Sequence, residues 1–143
     1  NLSAQKRYEE ALPLYIRATE VIAALHSDTH PDLARAFGNL GYVLAALGRD
    51  AEAAEFFDEA ATILATGQGE AHPDTIAARV NLGLHRLRAT DEPLLALDQF
   101  RRANLGVRGR YLANREQPHG EAEFGRDRYA FRYQVAAAWS AGH

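Results

Sequence analysis

The sequence lacks cysteine and methionine altogether and contains no long uninterrupted apolar run. The absence of cysteine excludes disulfides, thiolate zinc sites and thiol nucleophiles. No apolar stretch approaches the roughly 20 residues that a membrane-spanning helix requires, so we expect no membrane helix. Because even position 1 is not methionine, we expect the chain to be a piece of a longer protein.

Lysine is nearly absent as well, since all of the 16 basic residues except Lys6 are arginine. This bias suggests a GC-rich bacterial genome, and a cytoplasmic location is our working expectation. The apolar share of 47% is that of a folded domain and is too high for a disordered chain.

Charge is spread unevenly along the chain. Residues 1–85 contain 12 acids and 6 bases, a net charge of −6, whereas residues 86–143 contain 7 acids and 10 bases, a net charge of +3. The acidic first half does not supply the continuous basic face that a nucleic-acid-binding module needs. The arginines between positions 101 and 132 alternate with aromatic residues but also with acids, which favours pairing within helices. We therefore do not expect nucleic acid as a partner.

The chain repeats itself at a spacing of 42 residues. In this register, 11 of the 42 positions from Tyr8 to Arg49 are identical to their counterparts. Two complete triplets are among them: His30-Pro31-Asp32 matches His72-Pro73-Asp74, and Asn39-Leu40-Gly41 matches Asn81-Leu82-Gly83. Two identical triplets in one register indicate an internal repeat, which is typical of stacked helical architectures.

Each repeat predicts a pair of helices. Proline at 31 and 73 fits the first helical turn, and the aspartate after it places negative charge at the positive end of the helix dipole. Apolar residues then recur at intervals of three and four, as on a buried helix face: Leu33, Phe37, Leu40, Leu44 and Leu47. We expect Gly48 to end this helix and Asp50 to be the N-cap of the next one. No strand pattern is found, and a last helix over residues 120–141 is predicted to cap the stack.

The pattern resembles the tetratricopeptide repeat. The residues that carry the resemblance are Phe37, Leu40, Gly41 and Leu44 in one helix, and Ala53, Phe57 and Ala60 in the next. The 42-residue period, the His-Pro-Asp opening and the segment at residues 8–15 are similar to the kinesin-light-chain subtype. The resemblance covers about residues 5–104. It departs from the family at Thr90-Asp91-Glu92-Pro93, which replaces the usual glycine turn.

The resemblance implies an all-α, right-handed α-α superhelix of about six antiparallel helices. We expect a repeat array over residues 1–115, with a partial first helix and full repeats at about 31–72 and 73–115. A capping helix is expected within residues 116–143. In this family the first helix of each pair lines a concave face, which is where partners would bind.

The expected concave face supplies the candidate peptide-binding residues. Counted around the helices from the buried stripe, they are Arg35, Asn39 and Tyr42 in one repeat, and Asn81, Leu84 and Arg88 in the next. Asparagine can hold a peptide backbone because its amide both donates and accepts hydrogen bonds, and the resemblance implies peptide contacts at this helix position. The alternative is that both asparagines tie neighbouring helices together. Arg35 and Arg88 would favour an acidic ligand or a C-terminal carboxylate.

A catalytic site is not predicted. None of the three serines lies in a glycine-flanked nucleophile elbow, and adjacent carboxylates such as Glu9 and Glu10 point different ways on a helix. The segment Gly67-Gln68-Gly69 lacks the preceding strand and the following lysine of a phosphate-binding loop. We therefore expect neither an enzyme nor a cofactor.

A metal site is not predicted either. His26 and His30 are four residues apart, but Pro31 predicts a helix break between them, so they need not share a face. Without cysteine, and without a His-Glu pairing of suitable spacing, these histidines do not form a recognised metal motif.

The predicted function is that of a protein–protein interaction module within a larger protein. It would bind a peptide segment or a neighbouring domain in its concave groove. Two alternatives stay open: a structural or regulatory arm of a bacterial protein that also carries a peptidase or nucleotide-hydrolysing domain, and self-association into a homo-oligomer. These alternatives share the fold, so the fold does not choose among them.

Overall fold

The computed structural model describes residues 2–114 together with Ala137 and Ala141. Within residues 2–114 there are five helices and no strand. The helices are α1 (Leu2–Leu25), α2 (Pro31–Ala46), α3 (Asp50–Gln68), α4 (Pro73–Arg88) and α5 (Pro93–Asn114). The predicted all-α class is thus confirmed. The sixth helix, predicted within residues 116–143, lies outside the described residues apart from those two alanines. No described helix is both long and apolar enough to cross a membrane.

The chain divides into two compact units, Asn1–Gly67 and Gln68–His143. The first unit contains α1, α2 and all but the last residue of α3, and the second contains α4 and α5. The predicted repeat boundaries and the right-handed sense of the superhelix stay predictions.

Both α2 and α4 begin with a histidine cap. The Nδ1 atom of His30 accepts a hydrogen bond from the backbone N–H of Asp32 at 3.1 Å. His72 does the same for Asp74 at 3.2 Å. Histidine therefore takes the place that serine, threonine or aspartate usually occupies, and satisfies one of the free N–H groups of the first turn. The repeated His-Pro-Asp triplet is explained by this local geometry.

A glycine ends α2 as the sequence predicts. Gly48 has a φ of +76°, and its N–H donates to the carbonyl of Ala45 at 3.0 Å. The N–H of Arg49 donates back to the carbonyl of Leu44 at 2.9 Å. This pair of bonds is the Schellman arrangement, which needs the left-handed conformation that glycine adopts easily. Asp50 is not the N-cap that we expected. It is the first residue of α3, and the carbonyl of Arg49 accepts the first helical bond, from Ala53.

The end of α4 is built differently, where the sequence has no glycine. The N–H of Glu92 donates to the carbonyl of Arg86 at 2.7 Å, and the hydroxyl oxygen of Thr90 lies 3.1 Å from the same carbonyl oxygen. Asp91 lies between them with a φ of +51°, the single described non-glycine residue with a positive φ. A backbone hydrogen bond from Glu92 and the nearby Thr90 hydroxyl thus take the place of the glycine turn that closes α2.

Each unit contains the same kind of close contact between two of its own helices. A Cβ atom added to Gly41 in α2 would lie 2.6 Å from the ring of Phe57 in α3. A Cβ atom added to Gly83 in α4 would lie 2.5 Å from the ring of Phe100 in α5. Each glycine is therefore required because a buried aromatic ring packs directly on the helix backbone, which agrees with the predicted packing role of both glycines.

The cores of the two units differ one helical turn before the glycine of this contact. In the first unit, the rings of Phe37 and Phe56 stack with their centroids 5.7 Å apart. In the second unit, the equivalent position to Phe37 is Arg79, which is only 3% exposed. Its guanidinium donates to both carboxylate oxygens of Glu70, at 2.9 and 3.3 Å, and to the side-chain oxygen of Gln99 at 3.1 Å. A buried charge is tolerated when it is paired and hydrogen-bonded, as Arg79 is.

Candidate functional site

The candidate face of α2 is exposed along its length. Arg35, Asn39, Tyr42 and Ala46 follow one another at intervals of four, three and four residues, which places them on one side of the helix. All four are exposed, whereas Leu33, Leu40 and Leu44 are buried on the opposite side. The sequence pattern therefore identified an available surface of the first unit.

Tyr42 is the most prominent side chain of this face. It is 59% exposed, yet its ring packs against the ring of Phe57 in a T-shaped arrangement, at a centroid distance of 5.2 Å and an interplanar angle of 74°. Phe57 reaches this place because Gly41 has no side chain to obstruct it. Phe57 thus packs on Gly41 and against the ring of Tyr42. This contact holds the Tyr42 ring in a defined orientation at the surface.

The two asparagines lie at the surface. Asn39 and Asn81 are both exposed, on α2 and α4 respectively. Among the described residues, no hydrogen bond of either side-chain amide is found. Neither asparagine is thus a buried tie between helices, and each amide presents its donors and its acceptor to solvent.

Arg35 is less available than the sequence suggests. Its guanidinium donates to Oδ1 of Asp32 at 2.6 Å, an ion pair between residues three apart on α2. The arginine side chain is 73% exposed, so the pair is a weak surface interaction that a stronger ligand could displace. The pair nevertheless neutralises part of the positive charge that we expected beside Asn39.

The equivalent face of α4 is more mixed. Asn81 and Arg88 are exposed, but Leu84 is half-buried and packs against the cluster of Ala96, Phe100 and Ala137. Leu84 thus contributes more to the core of the second unit than to its surface. In place of Arg35, this face has the exposed Ala77.

The polar cluster at the end of α4 has no catalytic geometry. The carboxylate of Glu92 accepts hydrogen bonds from the Thr90 hydroxyl and from the Arg86 guanidinium, each at 2.7 Å. The Thr90 bond and then Arg86 lower the pKa of Glu92, against the opposing effect of partial burial. A carboxylate held ionised in this way is a poor general base. The adjoining cavity of about 340 Å³ is bordered mainly by the apolar residues Pro93, Leu94, Leu95 and Ala141.

Two side-chain clusters of the structure were not predicted from the sequence. One is the Arg79–Glu70–Gln99 network, for which the only sequence signal is an arginine where the first repeat has Phe37. The other lies between α1 and α2, where His26 and His30 stack with ring centroids 4.0 Å apart. The helix does break before Pro31, as the sequence predicts, but the turn between α1 and α2 brings the two imidazole rings together. The spacing of the histidines alone could not predict this path.

Comparison with known families supports the resemblance. Residues 1–66 match the sequence model of the family described as Tetratricopeptide repeat. A comparison with curated proteins finds no significant match. Tetratricopeptide repeats are generally protein-interaction modules and are typically non-catalytic. The family match over the first unit and the helices of both units together support a tetratricopeptide repeat protein.

Proposed function

We propose that this chain binds an extended peptide segment of a protein partner through the exposed face of α2, and that the equivalent face of α4 is a second surface of the same kind. The observation that carries the proposal is Tyr42, a surface ring that is 59% exposed and in T-shaped contact with the buried Phe57. An aromatic side chain fixed by its neighbours gives a large contact area at low cost in conformational entropy. Such rings are enriched among the residues that dominate binding energy at interfaces.

Asn39 would hold the peptide backbone beside Tyr42. Asn39 precedes Tyr42 by three residues on α2, so the two side chains are neighbours on the helix surface. The exposed amide can accept a hydrogen bond from a peptide N–H and donate one to a peptide carbonyl. Because these groups are common to all peptides, Asn39 would contribute affinity, and Tyr42 would select an apolar side chain. Asn81 would act in the same way on α4.

The charge preference of the ligand would be modest. Arg88 is exposed and can pair with a carboxylate, whereas Arg35 already pairs with Asp32. An acidic residue or a C-terminal carboxylate near Arg88 would be favoured by a charge-assisted hydrogen bond.

We also infer the kinesin-light-chain-like subtype, which the 42-residue period and the two His-Pro-Asp triplets support.

A random-peptide selection tests the proposal. A phage-displayed library would be selected on the immobilised 143-residue chain, and an enriched peptide would be synthesised with a fluorescent label. Fluorescence anisotropy would then compare wild type with Tyr42→Ala and Asn39→Ala. Loss of Tyr42 should weaken binding more than about tenfold, as for a central aromatic contact. Loss of Asn39 should weaken it about 2- to 10-fold, since one hydrogen bond contributes about 0.5–1.5 kcal/mol.

Glu55→Ala is the matched control, because Glu55 is an exposed residue of α3, away from the candidate face. Circular dichroism would establish that each variant is folded. A selected peptide whose affinity is the same for wild type and Tyr42→Ala, but lower for Glu55→Ala, would place the binding surface on α3 and overturn the proposal.

A further inference from the structure

Three side chains that can bind a metal converge where α1 connects to α2. His26 follows the last residue of α1, His30 is the N-cap of α2, and Asp32 is in the first turn of α2. One ligand atom from each of the three lies within 4.8 Å of the other two. We call these three residues the His-His-Asp cluster. It belongs to the first unit and adjoins the face that carries Tyr42, because Arg35 of that face pairs with Asp32.

The carboxylate of Asp32 is oriented toward both imidazoles. Its Oδ2 atom lies 3.9 Å from Nε2 of His26 and 3.8 Å from Nδ1 of His30. The other oxygen, Oδ1, accepts the hydrogen bond from Arg35. Arg35 thus orients the carboxylate and leaves Oδ2 for the histidines. An outer residue that fixes a ligand in this way is a common feature of metal sites.

From this geometry we propose that the His-His-Asp cluster binds a borderline divalent transition-metal ion of the Zn²⁺ class. Two imidazole nitrogens and one carboxylate oxygen are ligands that Zn²⁺ prefers, and water would complete the coordination. Around a tetrahedral zinc with bonds of about 2.0–2.2 Å, ligand atoms lie about 3.3–3.6 Å apart. The carboxylate oxygen therefore needs to approach each nitrogen by about 0.5 Å. Because the two imidazoles are stacked, at least one ring must also turn out of the stack so that both nitrogen lone pairs point at the metal, and both rings are partly exposed and have room to turn.

Helix capping accounts for His30 and Asp32 without a metal, but it does not account for His26. The second repeat has the same cap, with Nδ1 of His72 at 3.9 Å from Oδ2 of Asp74. At the position equivalent to His26, 42 residues on, the second repeat has Gln68. The chain thus contains one complete set of ligands and one natural counterpart that lacks a ligand.

Coordination would compete with the cap at α2. If Nδ1 of His30 binds the metal, it no longer accepts the hydrogen bond from the N–H of Asp32. In return, the metal would connect the end of α1 to the first turn of α2. Since these residues come together only in the folded first unit, the bound ion would stabilise the folded state through linkage.

The test is a titration of the full 143-residue chain with ZnCl₂ after treatment with a chelator and its removal. Isothermal calorimetry should detect one zinc ion that depends on the cluster. His26→Gln, which copies the second repeat, should weaken its binding at least about tenfold, because even outer residues of metal sites account for 10- to 100-fold. His72→Gln is the matched control. It removes the equivalent cap of the second repeat and should leave zinc affinity unchanged.

A second readout separates a metal site from a cap. Zinc should raise the melting temperature of wild type and of His72→Gln, and it should not raise that of His26→Gln. A Co²⁺ complex of wild type should show visible d–d absorption that His26→Gln abolishes. Equal zinc affinity in wild type and His26→Gln, or no zinc binding by wild type, would overturn the proposal.

Discussion

The α2–α3 and α4–α5 pairs have the same close contact between helices but different chemistry beside it. In both pairs a glycine on the first helix receives a phenylalanine ring from the second, through Gly41 with Phe57 and through Gly83 with Phe100. Next to this contact, the first pair stacks Phe37 on Phe56, whereas the second buries Arg79 against Gln99 and Glu70. The glycine–phenylalanine contact sets how closely the helices approach, and the neighbouring position tolerates either an apolar or a fully bonded polar solution.

The largest effect should come from removing the shared ring. Phe57→Ala and Phe100→Ala should each lower the free energy of unfolding by about 3–5 kcal/mol, because each leaves a cavity in a packed core. Phe100, with 0% exposure, should lie at the upper end, and Phe57, with 8%, at the lower. Urea denaturation followed by circular dichroism would measure both. A cost near zero at either position would show that the ring does not hold the two helices together.

A surface leucine provides the reference for this measurement. Leu14 on α1 is 72% exposed, so Leu14→Ala should change the free energy of unfolding by no more than about 0.5 kcal/mol. If Leu14→Ala costs as much as Phe57→Ala, the leucine must be covered by something other than the described helices.

Because the charge of Arg79 is buried, the stability of the α4–α5 pair should depend on the carboxylate of Glu70. Glu70→Gln removes the negative charge beside Arg79 and should cost about 2–3 kcal/mol, less than for a fully buried pair because the Glu70 side chain is 46% exposed. The matched change in the first repeat is Asp28→Asn, at the equivalent exposed position, and should cost less than about 0.5 kcal/mol. Equal costs in urea denaturation would mean that Arg79 does not depend on Glu70.

Grafting the aromatic pair onto the second unit should be tolerated. The double variant Arg79→Phe, Gln99→Phe copies Phe37 and Phe56, and should match wild type or exceed its unfolding free energy by about 1–2 kcal/mol. The reason is that well-packed apolar side chains avoid the desolvation cost of a buried ion pair. A loss of several kcal/mol in the same urea experiment would show that the polar network is required by the shape of this pair.

The smallest effect on the free energy of unfolding should come from the carboxylates beside the two turns that follow α2 and α4. Thr90 and Arg86 lower the pKa of Glu92, so this carboxylate stabilises the fold above its unfolded pKa of about 4.3, and the contribution is lost as pH falls through the lower folded pKa. Glu92→Gln should therefore cost under about 1 kcal/mol at neutral pH and converge with wild type in acid. Beside the glycine turn that follows α2, the hydrogen bond from Arg49 also lowers the pKa of Glu52, so the stability contribution of Glu52 has the same dependence on pH. Unfolding midpoints across a pH series would show whether the Glu92 difference persists in acid, which would contradict this account.

The repeat register predicted more of the fold than of the side-chain chemistry. The 42-residue spacing indicated the helix starts at Pro31 and Pro73 and the packing role of Gly41 and Gly83, because identical short-range signals produce identical local structure. It also identified an exposed face of α2, since side chains on one side of a helix follow from the period alone.

Contacts between residues far apart in sequence could not be predicted in this way. Nothing in the sequence pairs Arg79 with Gln99, 20 residues away, because that contact depends on how α5 packs against α4. The stacking of His26 on His30 depends on the path of a short turn, for which Pro31 predicts a break but no direction. The ion pair of Arg35 with Asp32, by contrast, follows from a spacing of three and could have been predicted.

The most direct test of the proposed peptide-binding face is the response of the asparagine side chains themselves. In a ¹⁵N-labelled sample, the side-chain amide groups of Asn39 and Asn81 give their own proton–nitrogen signals. Adding the selected peptide should shift the Asn39 signal, together with the backbone amides around Tyr42, while the exposed surface of α3 around Glu55 stays unchanged. Saturable peptide binding that leaves the Asn39 side-chain signal in place and shifts the α3 surface would contradict the account.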